Sequence, residues 1–276
     1  MKRWQIILKR LILSAVILFL FSIIFSLLLP GKVPIIDNIR MFAQRPVIKW
    51  AGKIKIEDIT FNKYDETPDI DISMDELKKF IKELSPGSIF FTQTRNYAIT
   101  EFVPGDWIHS GIFLGTKQQI KKHFKDTPEL INLLDTLMNK SDIYVLDSYS
   151  EGVSIHPLKD LSNLADKSYL INFAAFSFNL PTEQKVVFIN EALKYLGREY
   201  DYDWITDDPG TIFCSELLYH SFKSLGIEIK ARTRTVSREI FTPDDLFRYL
   251  TANSGENKLF TFYGTFSKLK LPPSNL

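Results

Sequence analysis

The sequence has one cysteine, four histidines and almost no net charge, and each of these shortages excludes a class of protein. A single cysteine, Cys214, excludes an intramolecular disulfide framework and a multi-cysteine zinc site. The four histidines are scattered along the chain, which does not suit a metal site. A formal net charge of +1 gives no basic field for nucleic acid. We therefore expect no metal, no cofactor and no nucleic-acid partner.

Internal repeats and low-complexity segments are also absent, so the chain is expected to fold as a globular protein. Its 276 residues, 45% of them hydrophobic, suffice for one large domain or two small ones with a real core.

Residues 1–30 differ from the rest of the chain. Leu11–Leu29 is a run of 19 residues without a charge, close to the roughly 20 that a helix needs to cross a bilayer. Four basic residues precede it, and they predict a cytoplasmic N-terminus and an exoplasmic domain, periplasmic or extracellular: Lys2, Arg3, Lys9 and Arg10. Basic residues after the run weaken this orientation. We expect a retained signal anchor; the alternative is a cleaved signal peptide, although no A-x-A-like site follows.

Three segments are expected: the anchor (1–30), a proline-punctuated juxtamembrane connector (31–72) and a domain over 73–276 that begins at a capping box, Ser73–Glu76. Both helical and strand patterns occur in this domain. The expected strands are Ser88–Thr92, a run from His109, Ile143–Tyr149, Tyr169–Phe176 and Leu259–Phe266. Helices are expected in five places: after Ser73, within Gln118–Lys140 with a break at Pro128, over Pro181–Leu196, after Cys214 and over Thr242–Leu250.

The stretch around the cysteine, Tyr200–Leu218, reads YDYDWITDDPGTIFCSELL. A Pro-Gly turn precedes Cys214, and apolar residues after it follow helical spacing. Cys214 is therefore expected in the first turn of a helix, where unpaired backbone N–H groups and the helix dipole favour a thiolate. The alternative is that Cys214 is only a small buried hydrophobe.

Two other residues suit a nucleophilic cysteine. His109 opens an apolar run, and Asp147 lies inside an expected strand, an unusual position for a carboxylate. Cysteine hydrolysis needs a thiolate, a histidine that relays the proton and a third polar group that orients the histidine. The backbone N–H groups at the helix start, around Cys214 and Ser215, could stabilise the oxyanion.

Asp147 and Glu151 compete for the third position. Alternate residues of a strand share a face, so Val145 and Asp147 lie on the same side. If that side faces the core and the cysteine helix, Asp147 emerges beside His109. Glu151 has the same parity but is expected at the strand end, in solvent.

The other titratable residues have simpler interpretations. His123 lies in a charged helix and is expected in solvent. His156 lies near Gly152 and could line the cleft, but no spacing links it to the Cys–His pair. His220 should face away from that pair. Glu216 is explained by the helix dipole, and Trp107 is expected to pack in the core.

Four blocks of this sequence resemble a known family: WIHSGIFLG, VLDSYSEGV, EYDYDW and FCSELL. Together they resemble the circularly permuted branch of the papain-like NlpC-type cysteine hydrolases, the YiiX/YebB-like proteins. The resemblance covers roughly Leu84–Leu250, and its most specific part is the CSEL block with the Tyr-Asp pair upstream.

The resemblance implies a permuted papain-like α+β fold in which a helix bearing the cysteine packs on an antiparallel sheet bearing the histidine. It implies that Cys214 is the nucleophile, His109 the base, Asp147 the orienting acid and Tyr200 a tyrosine near the site. The acid departs from the commoner Glu, and its reach is shorter by one methylene.

Three functions are open. The first is a membrane-anchored cysteine hydrolase that cleaves an amide bond through a Cys214 thioacyl intermediate, with cell-wall peptides as a natural substrate. The second is a lipid or thioester acyl hydrolase or acyltransferase at the same site. The third is a non-catalytic membrane-tethered binding module, which would have no need to keep both Cys214 and His109.

Overall fold

The computed structural model describes residues 70–94, 105–139, 142–165, 168–201, 210–235 and 238–268, with 9–11, 13–14, 16–21 and 24 near the N-terminus. The described helices are α1 (Met74–Phe80), α2 (Lys117–His123), α3 (Pro128–Leu137), α4 (Thr182–Leu193), α5 (Cys214–Lys223) and α6 (Pro243–Ala252). The described strands are β1 (Ser88–Thr94), β2 (His109–Gly115), β3 (Tyr144–Tyr149), β4 (Gly152–Pro157), β5 (Leu170–Phe178), β6 (Thr233–Thr235), β7 (Arg238–Ile240) and β8 (Phe260–Ser267). A 3-10 segment, Leu158–Asn163, follows β4.

Six of these strands form one sheet in the order β4-β3-β2-β1-β5-β8, and every neighbouring pair is antiparallel. The strands β6 and β7 form a separate antiparallel pair. The architecture is therefore α+β with an antiparallel sheet, as the family resemblance implies.

Alternate residues of the strands bury two different faces of this sheet. Leu146 of β3 belongs to a cluster that includes Leu217 and Leu218 of α5, so we call this side the cysteine-helix face. Val145, one residue earlier, belongs to a second cluster with residues of α1 and the 3-10 segment, on the opposite face. Burial on both faces explains why the central strands are continuously apolar rather than alternating.

The helix starts follow local sequence signals. Ser73 accepts the backbone N–H of Glu76 at the start of α1, and the Glu76 carboxylate accepts the backbone N–H of Ser73. Thr242 caps α6 in the same way, with Asp245 as its partner and Pro243 at the first helical position. These helices were predicted from the same capping residues.

Two parts of the fold were missed. The strand β4 was not predicted, because Gly152 and Pro157 at its ends resemble turn signals and leave only four alternating residues, Val153–His156, between them. The strands β6 and β7 are the second missing part, since no strand was predicted between Cys214 and Thr242.

The N-terminal prediction is tested only in part. The described residues between 9 and 24 are helical, and their large apolar side chains are exposed. Among the residues that the structure describes, no helix combines the length and the apolar character needed to cross a bilayer. Residues 31–69, which are most of the expected connector, lie outside the described residues. Most of the second half of Leu11–Leu29 lies outside them as well.

Candidate active site

Cys214 is the first residue of α5 and is buried. The segment before it is held at two points. The backbone N–H of Ile212 donates to the Glu199 carbonyl at 2.9 Å, and the Ile212 carbonyl accepts the Ser148 hydroxyl of β3 at 2.5 Å. These hydrogen bonds fix the cysteine at the helix start, where the sequence placed it.

The start of α5 has backbone N–H groups without a partner inside the helix. Its first intrahelical hydrogen bond runs from the Leu217 N–H to the Phe213 carbonyl, so the N–H groups of Cys214 and Ser215 have no partner within the helix. The Ser215 side chain is fully buried, and its hydroxyl donates to the Phe241 carbonyl at 2.6 Å. Ser215 can therefore offer its backbone N–H to an oxyanion, but not its hydroxyl.

The histidine and the acid are joined by a buried hydrogen bond. Nε2 of His109, the first residue of β2, lies 2.9 Å from Oδ2 of Asp147 in β3. Asp147 is fully buried and His109 is 6% exposed. Gly111 lies directly across from Asp147, and a Cβ there would come within 2.8 Å of the Asp147 Cβ and 2.6 Å of the Phe90 ring. Glycine at this position therefore leaves room for the side chains of Asp147 and Phe90.

The reasoning that led to Asp147 was wrong about the face. Val145, which shares a side with Asp147, packs on the opposite face and not against the cysteine helix. It is Ser148, the next residue, that points toward α5. His109 is the first residue of β2, and its side chain also projects to the face away from the cysteine helix. Asp147 and His109 therefore meet on that face.

The imidazole of His109 is shared between the acid and the thiol. Burial alone would lower the pKa of His109, but the charge of Asp147, its hydrogen bond and the interaction with Cys214 raise that pKa to about 10. Since Nε2 is bound to Asp147, Nδ1 is the ring nitrogen left for Cys214. The three predicted residues Cys214, His109 and Asp147 are therefore brought together.

A second histidine, His156 of β4, completes the environment of the acid and was missed. Its Nε2 lies 2.9 Å from Oδ1 of Asp147, the oxygen that His109 does not use. A β-hairpin could have been predicted here. A two-residue turn at Ser150–Glu151 pairs β3 with β4, and this pairing places His156 diagonally from Asp147 on the same face. Without β4 in the prediction, His156 had no link to the site.

The two histidines determine the charge of Asp147. Burial alone would raise the pKa of the Asp147 carboxyl, but the charges and hydrogen bonds of His156 and His109 hold it well below its usual range. Burial likewise opposes the charged form of His156, yet Asp147 and a backbone carbonyl raise the pKa of His156 to about 9. Asp147 is thus a carboxylate with a histidine on each oxygen.

Glu151 lies in the turn between β3 and β4, exposed to solvent, and its carboxylate accepts the Ser150 hydroxyl. It also lines a cavity of about 200 Å³ on the opposite face. The other lining residues are Asp147, Tyr149, Ser154, His156, Asp160, Leu161 and Ser162. Among these lining residues, Asp147 forms the hydrogen bond with His109. Glu151 lies at the rim of the cavity, in solvent.

The other candidate residues have different surroundings. Tyr200 is half-buried at the edge of the cysteine-helix face. His220 stacks on Tyr195, 5.2 Å between ring centroids, and its Nε2 lies 3.6 Å from the Glu216 carboxylate. His123 is half-buried with its ring against Phe124, so the expectation that it lies in solvent was wrong.

Glu216 is fully buried, which the helix dipole alone does not explain. Glu216 lies two residues after Cys214, and its carboxylate accepts the Phe213 N–H at 3.3 Å. Burial raises the pKa of Glu216 to about 7, against the opposing effect of His220 and with help from the charge of Asp201.

No group of three or more His, Cys, Asp or Glu side chains within the described ranges is arranged to hold a metal ion.

A comparison with known protein families shows the family of this chain. A sequence-family model described as a permuted papain-like amidase enzyme, the YaeF/YiiX C92 family, matches residues 83–261. A cysteine at a helix start, with a histidine and an acid on neighbouring antiparallel strands, suits a papain-like thiol hydrolase. The chain belongs to this permuted papain-like amidase family.

A solved structure, described as the metalloprotein YiiX from Escherichia coli O157:H7, is similar to this chain with 18% sequence identity and a TM-score of 0.38. The match covers 64% of this chain and 88% of that chain. The comparison with curated proteins gave no match.

Proposed function

We propose that this protein is a cysteine amidase that cleaves a peptide bond through a thioacyl intermediate on Cys214. The observation that carries this proposal is the chain of contacts from the Cys214 thiol through His109 to Asp147. Membership of an amidase family supports the class of reaction.

In the proposed mechanism the Cys214 thiolate attacks the amide carbonyl carbon, and the oxyanion accepts hydrogen bonds from backbone N–H groups at the start of α5. The C–N bond then breaks as the His109 imidazolium gives its proton to the departing amine. A water molecule, deprotonated by His109, attacks the thioester and releases the acid and the thiol. Asp147 keeps Nε2 of His109 protonated and directs Nδ1 toward the sulfur.

We further propose that residues 1–30 anchor the protein in a membrane with the domain on the exoplasmic side. The uncharged run Leu11–Leu29 and the basic residues before it support this proposal. Cell-wall peptides would then be accessible substrates.

The test is turnover of a panel of acyl donors that contains a cell-wall peptide, a simple peptide amide and a long-chain acyl thioester. We expect Cys214→Ala and His109→Ala each to abolish turnover, and the double variant to be little worse than either, because the two residues act as a unit. Full turnover by Cys214→Ala would refute the proposal. Turnover of the thioester alone, with Cys214 required, would assign the site to acyl transfer or lipid hydrolysis instead.

A further inference from the structure

The hydrogen bonds of His156 reveal its charge. Its Nε2 faces Oδ1 of Asp147 at 2.9 Å, and its Nδ1 faces the carbonyl oxygen of Pro157 at 3.2 Å. A carbonyl oxygen and a carboxylate oxygen are both acceptors, so both ring nitrogens must donate. Only the imidazolium carries two N–H groups. The geometry therefore favours a charged His156.

The position of this charge is specific. Asp147 has two carboxylate oxygens, and each has one histidine: His109 on Oδ2 and His156 on Oδ1. A carboxylate with a hydrogen bond on one oxygen alone could still turn about its Cβ–Cγ bond within the limits of the packing around buried Asp147. The second hydrogen bond removes this freedom and fixes the plane of the carboxylate.

We propose that His156 is a positioning residue of the reaction: it holds Asp147 in the one orientation that directs His109 toward Cys214. This inference rests on the proposed function and deepens it. His156 does not touch the reacting atoms. It acts through Asp147, as groups behind the first layer of an active site do when they orient a histidine.

The alternative is that His156 only satisfies a buried charge and stabilises the fold. A structural role would affect how many molecules fold, but not the turnover of each folded molecule. The other charged groups around His156 do not make its hydrogen bond with Oδ1 of Asp147. His109 binds the other oxygen of Asp147, while Glu151 and Asp160 are acids that line the same cavity.

The experiment compares His156→Gln with His156→Leu in the full chain. Glutamine can still donate an N–H to Oδ1 of Asp147 without carrying a charge, whereas leucine fills similar space and donates nothing. The probe substrate is p-nitrophenyl acetate, an activated acyl ester that needs no knowledge of the natural substrate. Rates are divided by the amount of reactive Cys214, titrated with iodoacetamide, which has only one cysteine to label.

We expect His156→Leu to lower kcat by about ten-fold or more with KM within about two-fold of the wild type. We expect His156→Gln to keep kcat within about three-fold of the wild type. The matched control is His123→Leu, a half-buried histidine of α2, which should leave kcat unchanged.

Two results would overturn the inference: a His156→Leu kcat within two-fold of the wild type per reactive cysteine, or a His156→Gln variant as slow as His156→Leu. Failure of the proposed function is a separate outcome, because it is seen as turnover that survives Cys214→Ala, whatever His156 does. Should His156→Leu fail to fold, His156→Gln is compared with His156→Asn, whose shorter side chain cannot reach Oδ1. Equal kcat values for those two variants would then refute the positioning role.

Discussion

Asp147 and Ser148 are consecutive residues of β3 that serve the two halves of the site from opposite faces of the sheet. Asp147 binds the His109 ring on one face, while the Ser148 hydroxyl donates to the Ile212 carbonyl on the other, two residues before Cys214. Because neighbouring side chains of a strand point in opposite directions, one strand sets the position of both the base and the nucleophile.

This relationship makes the identity of the acid testable. Asp147→Asn keeps the size of the side chain but removes its charge, so His109 loses the carboxylate that orients it and stabilises its protonated form. We expect kcat to fall by about ten-fold to a thousand-fold. Glu151→Gln, in the exposed turn, should change kcat by less than about three-fold. The reverse ranking on the same substrate would assign the role to Glu151.

The two histidines predict how stability depends on pH. The folded-state pKa values of His109 and His156, about 10 and about 9, lie above their unfolded value of about 6.5. Their stabilisation is therefore complete below pH 6.5 and is lost as the pH rises through 9 and 10. The depressed pKa of Asp147 adds stabilisation that is present above its unfolded value of about 3.9 and is lost on acidification.

Denaturant unfolding at pH 7 and pH 10.5 measures this loss. The wild type should lose at least about 1 kcal/mol more unfolding free energy over this interval than Asp147→Asn, whose histidines lack the carboxylate. An equal loss in the two proteins would mean that the histidines are not held protonated by Asp147.

Glu216 gives a second pH prediction, in a different window. Its pKa in the folded protein, about 7, exceeds the model value of 4.5, so its contribution to stability is present below pH 4.5 and is lost as the pH rises through 7. Glu216→Gln keeps an acceptor for the Phe213 N–H and cannot ionise. We expect its stability relative to the wild type to be higher at pH 8.5 than at pH 5, by at least about 1 kcal/mol.

The control is Glu129→Gln, at an exposed position in the first turn of α3. Its relative stability should be the same at pH 5 and pH 8.5. A pH-independent effect of Glu216→Gln would show that the buried carboxyl stays ionised across the interval.

The anchor proposal is tested by deletion. Removal of residues 1–30 should leave a folded domain that retains its cysteine reactivity, because the first capping box lies at Ser73, far from the apolar run. Aggregation of the truncated protein would mean that the apolar run belongs to the fold. In intact cells, the domain should be accessible to protease only from the exoplasmic side, and cytoplasmic exposure would overturn the proposed orientation.

The sequence predicts the parts of this protein in which a local signal coincides with the tertiary role. The capping residues at Ser73 and Thr242 locate two helices, and the turn before Cys214 locates the helix that bears it. Strand β4 and His156 escape this reasoning, because the four alternating residues Val153–His156 are a weak local signal and only the pairing of β4 with β3 brings His156 to Asp147.

The face assignment of β3 failed for a related reason. Both faces of the sheet are apolar and buried, so the hydrophobic pattern alone cannot tell which side of the strand packs against α5. Only the contacts of Asp147 and Ser148 with their partners decide it.

The most direct test of the central claim is the rate at which iodoacetamide alkylates Cys214 at pH 6 in the folded wild type and in His109→Ala. With one cysteine in the chain, every adduct reports on this residue, and mass mapping verifies its position. If His109 activates the sulfur, the wild type should react at least about ten times faster than His109→Ala, which lacks the activating imidazole. Equal rates in the two proteins would contradict a Cys214–His109 catalytic pair.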